Sequence, residues 1–414
     1  MKLFARQLLA ASTAVALFTA MGVVASPAYA KKEEAAPKIK LSKPTQAALA
    51  AVQKLQQSGD LDGALAKLEE ARAGATTPDD QYIVNAVGIG LASARKDDAF
   101  LEKSIEGVIA SNKLPAAELP KYYMHLAQSA MQRNDNARAA EIYSKITEIV
   151  PTDEVAITNG ALLYFRTKNP TAAIALYRKG IEAKNANGEK APEQWYRRML
   201  GYAFDGKLNN EIVSVGTALV REYPNPTNWR DALVTFRDSG TADDQMNLDI
   251  FRLMFANDAL AGEKDFFEYA ETSNTRGYPG EARRALDAGL AKGVLSTSKN
   301  YVKELNGIVN GRLAKDKAGL APLEREARAS ANGKLAAGTA AAYLGYADYA
   351  KAISLYQLAL TKGGIDKAEV NTRLGLAQAL AGDKAGAEAS LKAVTGGRRG
   401  ELAQYYLAWL ASRP

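Results

Sequence analysis

The chain has no cysteine. That excludes disulfides, thiolate metal sites, a cysteine nucleophile and the acylated cysteine of a lipoprotein. It has one histidine, His125, set between Met124 and Leu126. The usual proton shuttle of neutral-pH catalysis is therefore nearly missing, and His125 reads as a packing or surface residue. A zinc site has too few ligands to form. No run beyond residue 24 is apolar for long enough to span a bilayer. Runs of alternating β-branched residues are also missing, which argues against a sheet.

The chemical motifs that do occur are weak. Gly88-x-Gly90 lacks the third glycine of a dinucleotide fingerprint and falls in a helical stretch. Asp97-Asp98 and Asp243-Asp244 have none of the spacing of a calcium loop and read as turn or helix-start residues. Ser296-x-x-Lys299, Ser330-x-Asn332 and Lys362-Gly363-Gly364 stand in the order of the penicillin-binding signatures. Their spacing is too compressed for that fold, and no sheet pattern surrounds the last of them. No cofactor and no metal are expected, and the chain reads as a non-enzyme.

What is present begins with an export signal. Lys2 and Arg6 precede an apolar run from Leu8 to Val24, then Pro27 and the small-x-small step Ala28-Tyr29-Ala30. Cleavage is expected after Ala30, giving a periplasmic or secreted chain with no remaining membrane span. Residues 31–44 are charged and contain proline, and read as a disordered leader. The chain carries 53 basic and 46 acidic residues, a net charge of +7. Loss of Lys2 and Arg6 leaves +5. An exported chain with so mild an excess is not expected to meet nucleic acid; its surface allows contact with anionic glycan or lipid without specifying it.

From Thr45 onward the composition is that of helices, with glycine and proline as punctuation. Tyr123, Leu126-Ala127, Ala130, Asn134-Asp135, Ala139, Tyr143, Ile146 and Pro151 form one pattern. Shifted by 34 residues, it returns as Ile157, Gly160-Ala161, Tyr164, Lys168-Asn169, Ala173, Tyr177 and Gly180. Each helix carries one apolar stripe, and small residues mark where paired helices approach most closely. The Asn/Gly-Asp step is the turn, and Pro151 closes the second helix. The register continues through Gly59-Asp60, Lys96-Asp97, Trp195, Trp229, Gly277-Tyr278, Asp348-Tyr349 and Gly382-Asp383.

The pattern closely resembles the tetratricopeptide (TPR) repeat. The resemblance implies an all-α, TPR-like α-solenoid of roughly ten helical hairpins in a right-handed superhelix, stabilised by stacking of neighbours. The expected array covers 45–295 and resumes in 335–414. Residues 296–334 are a weakly matching repeat or joint, with a hairpin at about 300–330. Glu401 to Leu410 is expected to be a single helix covering the end of the stack.

In TPR proteins the first helix of each pair lines a groove. That resemblance places Gln128, Met131, Thr158, Leu162, Phe165, Arg198, Tyr202, Arg230 and Arg237 there. Arg230 and Arg237, seven apart, share a helix face. Arginine with Tyr and Phe is the composition of binding hot spots. The family's carboxylate-clamp pattern is not recognisable. The implied function is a scaffold for an envelope protein or peptide. Groove residues of these types also suit a glycan, so an accessory or binding role in envelope polysaccharide or glycolipid handling stays open.

Overall fold

The computed structural model describes residues 39–241 and 243–413. The expected signal and residues 31–38 of the leader lie outside them. The described residues fold into 20 helices and no strand, in two compact units that divide between Ala191 and Pro192.

Unit 1 holds four hairpins. They are α1 (Lys43–Gln57) with α2 (Leu61–Gly74), α3 (Pro78–Arg95) with α4 (Asp98–Ala110), α5 (Leu119–Gln132) with α6 (Asn136–Ile149), and α7 (Glu154–Arg166) with α8 (Pro170–Ala186). One turn builds all four. The residue after each first helix, or one step beyond, takes a left-handed conformation: Gly59, Lys96, Asn134 and Lys168, with φ of 81°, 57°, 60° and 64°. The next N–H then reaches back to the closing turn of that helix, as Asp135 to the Ala130 carbonyl at 2.9 Å and Asn169 to the Tyr164 carbonyl at 2.9 Å. This satisfies carbonyls that a helix end leaves orphaned. The same residue caps the second helix: Asp60 accepts from the Gly63 N–H at 2.8 Å and Asp135 from the Arg138 N–H at 3.1 Å. The Asn/Gly-Asp step read from the sequence is this two-sided device.

Between α5 and α6 the core of unit 1 is apolar. Ala127, Ala130, Ala139, Ala140 and Ile146 are fully buried, with Tyr143 beside them. Gly160 shows how close the approach is: a Cβ there would lie 2.7 Å from Leu176 Cδ2 and 3.0 Å from Tyr143 Cβ. Each helix of unit 1 packs mainly on its neighbours in the chain.

Unit 2 contains α9 (Glu193–Asp205), α10 (Asn209–Glu222), α11 (Pro226–Asp238), α12 (Asp244–Ala256), α13 (Gly262–Thr275), α14 (Pro279–Ala291), α15 (Asn300–Ala329), α16 (Lys334–Gly345), α17 (Tyr349–Lys362), α18 (Lys367–Leu380), α19 (Lys384–Lys392) and α20 (Gly397–Ser412). Asp243 accepts from the Met246 N–H at 2.7 Å and Asp97 from the Phe100 N–H at 2.9 Å, so both acidic pairs are helix starts. Lys299 pairs with Glu263, and Lys362 Nζ donates to the Arg328 carbonyl at 2.9 Å; the residues in penicillin-binding order serve local structure.

Two expectations are corrected here. Residues 300–329 are one 30-residue helix, not a hairpin. Its buried residues, Val302, Leu305, Val309, Leu320 and Ala327, serve a single stripe, so nothing drives the segment to fold on itself. Neighbours hold it along its length: Tyr346 Oη donates to Asp316 at 2.8 Å and Tyr343 Oη to Glu324 at 3.0 Å. The second correction concerns the last helix. It does more than cover the end of a stack, because α20 returns to pack on α10 and α12 near the start of unit 2, as well as on α18 and α19. Tyr405 Oη donates to the Ile212 carbonyl at 3.1 Å, and Tyr406 Oη to the Asp249 carbonyl at 2.6 Å. Leu402, Tyr405, Tyr406 and Trp409 are buried by this closure, a length of apolar helix that the sequence alone assigned to the array's end.

Candidate functional site

Helix geometry decides which side chains of unit 1 share a face. Thr158, Leu162 and Phe165 fall at i, i+4 and i+7 on α7, all half-buried. Gln128 and Met131 fall one turn apart on α5 and are exposed. The helices carrying them both pack on α6, and the Tyr143 hydroxyl of α6 reaches Met131 Sδ at 3.7 Å. Val155, at the start of α7, is 55% exposed, and Met131 is 38% exposed. These are large apolar groups that the unit itself does not cover. His125 lies half-buried on α5, where burial lowers its pKa, so its imidazole is neutral at pH 7.

The expected groove residues of unit 2 have different surroundings. Tyr202, four residues after Arg198 on α9, is buried, and Arg198 is half-buried. Arg230 Nε pairs with Asp265 of α13 at 3.0 Å. Arg237 stands 5.9 Å over the Phe251 ring of α12 and pairs with Asp238 at 3.0 Å. Both arginines of α11 are thus held by partners within the unit.

The strongest electrostatic feature was missed in the sequence. Asp249 of α12 is wholly buried and receives three arginines: Arg252 and Arg373 at 2.8 Å, and Arg399 of α20 at 2.9 Å. Arg252 also grips Glu281 with two parallel bonds of 2.8 and 2.7 Å, and Tyr269 Oη donates to Glu281 at 2.7 Å. Arg373 and Arg399 share Glu369. Three carboxylates thus meet three guanidiniums. Burial pushes the Asp249 carboxyl up, but Arg373, Arg252 and Arg399 together bring it down to about 2. Burial raises the Tyr269 and Tyr406 phenols well above their ordinary value, so both remain donors. The available signal was an aspartate and an arginine three apart in the otherwise apolar run Leu248 to Met254.

Among the described residues, no cluster of three or more His, Cys, Asp or Glu could hold a metal ion. Nor is any described helix long and apolar enough to cross a membrane.

No family model matches the chain, and no curated protein matches it. Solved structures similar to it include a tetratricopeptide repeat protein from Parabacteroides merdae, 12% identical, covering 65% of this chain and 99% of that one, with a TM-score of 0.26. Another is the pentatricopeptide repeat protein PPR10 from maize, 13% identical, covering 90% of this chain and 62% of that one, with a TM-score of 0.25. Overlays this loose carry no argument about function. The hairpins themselves define the class: an all-α, TPR-like helical repeat protein.

Proposed function

We propose that the chain is an exported, non-enzymatic interaction scaffold of the periplasm, and that unit 1 holds a partner's extended segment or helix against α5 and α7. The observation that supports this most is the exposed apolar pair Met131 and Val155, with half-buried Leu162 on the same face of α7 as Val155, carried on the first helices of successive hairpins. Rigid hairpins suit such a task, because side chains on packed helices meet a partner with little ordering cost.

The test places a photocrosslinking residue at Gln128 or Leu162 in the full chain, in intact cells, with Glu148 on α6 as control. One protein crosslinked from 128 and 162 but not from 148, and lost in Met131→Asp/Leu162→Asp, supports the reading. Equal yields from all three positions sink it. Envelope glycan or glycolipid recovered in place of protein, through binding that weakens steeply with salt, would favour the second reading, a polysaccharide-handling accessory.

A further inference from the structure

A cavity of about 190 Å³ lies among α12, α13, α14, α16 and α18 of unit 2. Its apolar wall is Phe255 and Ala256 of α12, Leu344 of α16, and Leu376 and Leu380 of α18. Leu344 and Leu376 are buried, whereas Phe255, Ala256 and Leu380 are half-buried, so the cavity meets solvent on their side.

The polar side chains of the wall fall into two groups. Arg252, Glu281 and Tyr269 are bonded to one another: Arg252 grips Glu281 twice, and Tyr269 Oη donates to it. They hold the wall and have little left for a ligand. Arg284 of α14 also lines the cavity, but among the described residues it makes no hydrogen bond and no ion pair. The acid three residues on, Asp287, is taken by Arg283 at 2.6 Å, and Glu281 by Arg252 at 2.7 Å. What Arg284 does meet is Phe255, with its guanidinium carbon 5.6 Å from the centre of that ring. Its charge therefore stands half-buried at the apolar wall rather than out in water.

A ring face attracts a cation but offers no oxygen to accept its N–H groups. The ionic core nearby sets Asp249, Glu281 and Glu369 against Arg252, Arg373 and Arg399, and Arg284 is a fourth guanidinium with no carboxylate of its own. Its planar fork of donors matches a carboxylate. Charge complementarity thus asks for one negative charge, and the rest of the wall asks for an apolar body. A cation would be repelled, and a neutral apolar molecule would leave the guanidinium unanswered.

We infer that this cavity binds a small apolar monocarboxylate, its tail against Phe255, Leu344, Leu376 and Leu380 and its carboxylate on the Arg284 guanidinium. An apolar cavity of about 150 Å³ takes benzene, so the acid has about six to eight carbons. The site lies wholly within unit 2 and does not depend on the unit 1 surface.

Calorimetry and ligand-observed NMR on the full chain would use hexanoate, isocaproate and phenylacetate, with hexanol, hexylamine and acetate beside them. At least one of the first three is expected to bind, and the last three about tenfold or more weakly than it. Arg284→Gln should weaken the acid about tenfold or more, and Arg284→Lys, which keeps the charge but not the fork, should keep part of the affinity. Ala256→Phe puts a ring into the space and should abolish binding, with circular dichroism confirming that each variant is folded. An Arg284 that serves only to pack on Phe255 would instead lower Tm on change to Gln, with no acid bound by the parent. The inference is overturned if no acid binds the parent chain, if hexanol or hexylamine binds as tightly as hexanoate, or if Arg284→Gln binds the acid as tightly as the parent. A peptide ending in a free leucine that binds where none of the small acids does would overturn it in favour of a chain end.

Discussion

Ile146 in unit 1 and Asp249 in unit 2 are both wholly buried, yet what surrounds them differs. Around Ile146 lie alanines and tyrosines from helices adjacent in the chain. Around Asp249 lie arginines from α12, α18 and α20, the last 150 residues away. The hairpin and its turn are common to the two units; what they bury is not. A stacked array settles its core locally, between neighbours. A unit whose last helix returns to its first hairpins joins helices that no repeat register pairs.

The largest effect expected from this difference is at Asp249. Asp249→Ala leaves Arg252, Arg373 and Arg399 without their shared carboxylate, at a cost of about 3–5 kcal/mol. Urea denaturation followed by tryptophan fluorescence reads this directly, because Trp195, Trp229 and Trp409 all lie in unit 2. The counterpart in unit 1 is Glu102, whose partner Arg133 is 46% exposed and can turn to water. Glu102→Ala is expected to cost about 1 kcal/mol or less, read by denaturation of the full chain followed by circular dichroism. Equal losses would erase the comparison.

Acid sharpens it further. The Asp249 carboxyl ionises near 2 in the folded chain, below its ordinary value of 3.8. A depressed carboxyl stabilises the fold above its unfolded pKa, and that stability fades as pH falls through the folded value. Unit 2 should lose about 2 kcal/mol between pH 4 and pH 2 from this group, followed by the same tryptophans. Asp249→Asn should flatten that part of the profile; an unchanged profile would contradict the assignment.

Two glycines give a smaller, matched test. A Cβ at Gly216 on α10 would run into the Tyr405 ring, with Cε1 and Cζ at 3.1 Å. That ring is held by its bond to Ile212 and by Phe236, 5.3 Å away between ring centres. A Cβ at Gly160 on α7 meets the methyl end of Leu176, which can shift, and lies 3.0 Å from Tyr143 Cβ, which gives less. Alanine also favours a helix by about 1 kcal/mol over glycine. Gly216→Ala should therefore lose about 1–3 kcal/mol, while Gly160→Ala stays within about 1 kcal/mol of the parent. Denaturation midpoints of the two variants decide. The smallest effect concerns what the units share: Asp135→Ala and Asp348→Ala, each removing a cap of the common turn, should each cost about 1 kcal/mol, measured as shifts in thermal midpoint.

The shared part was legible in the sequence. Asn134-Asp135 and Gly382-Asp383 announce the turn because a left-handed residue followed by a capping acid has few other uses. Ala127 and Ala139 mark close helix approach for the same reason. The repeat register suggests a hairpin at about 300–330, but the apolar residues of α15 form one continuous stripe that needs no break. The return of α20 was invisible, since no local period encodes a contact between Tyr405 and Ile212, 193 residues apart. The ionic core was missed: Asp249 and Arg252 lie three apart in an apolar run, but Arg373 and Arg399 are matched to them only in three dimensions.

Hydrogen exchange on the full chain, comparing Asp249→Asn with Ile146→Ala, tests the central difference most directly. The account expects Asp249→Asn to speed exchange together in α10, α12, α18 and α20, helices distant in sequence, and Ile146→Ala to act mainly on α5, α6 and α7. Faster exchange confined to α12 and its chain neighbours after Asp249→Asn would contradict the closure of unit 2.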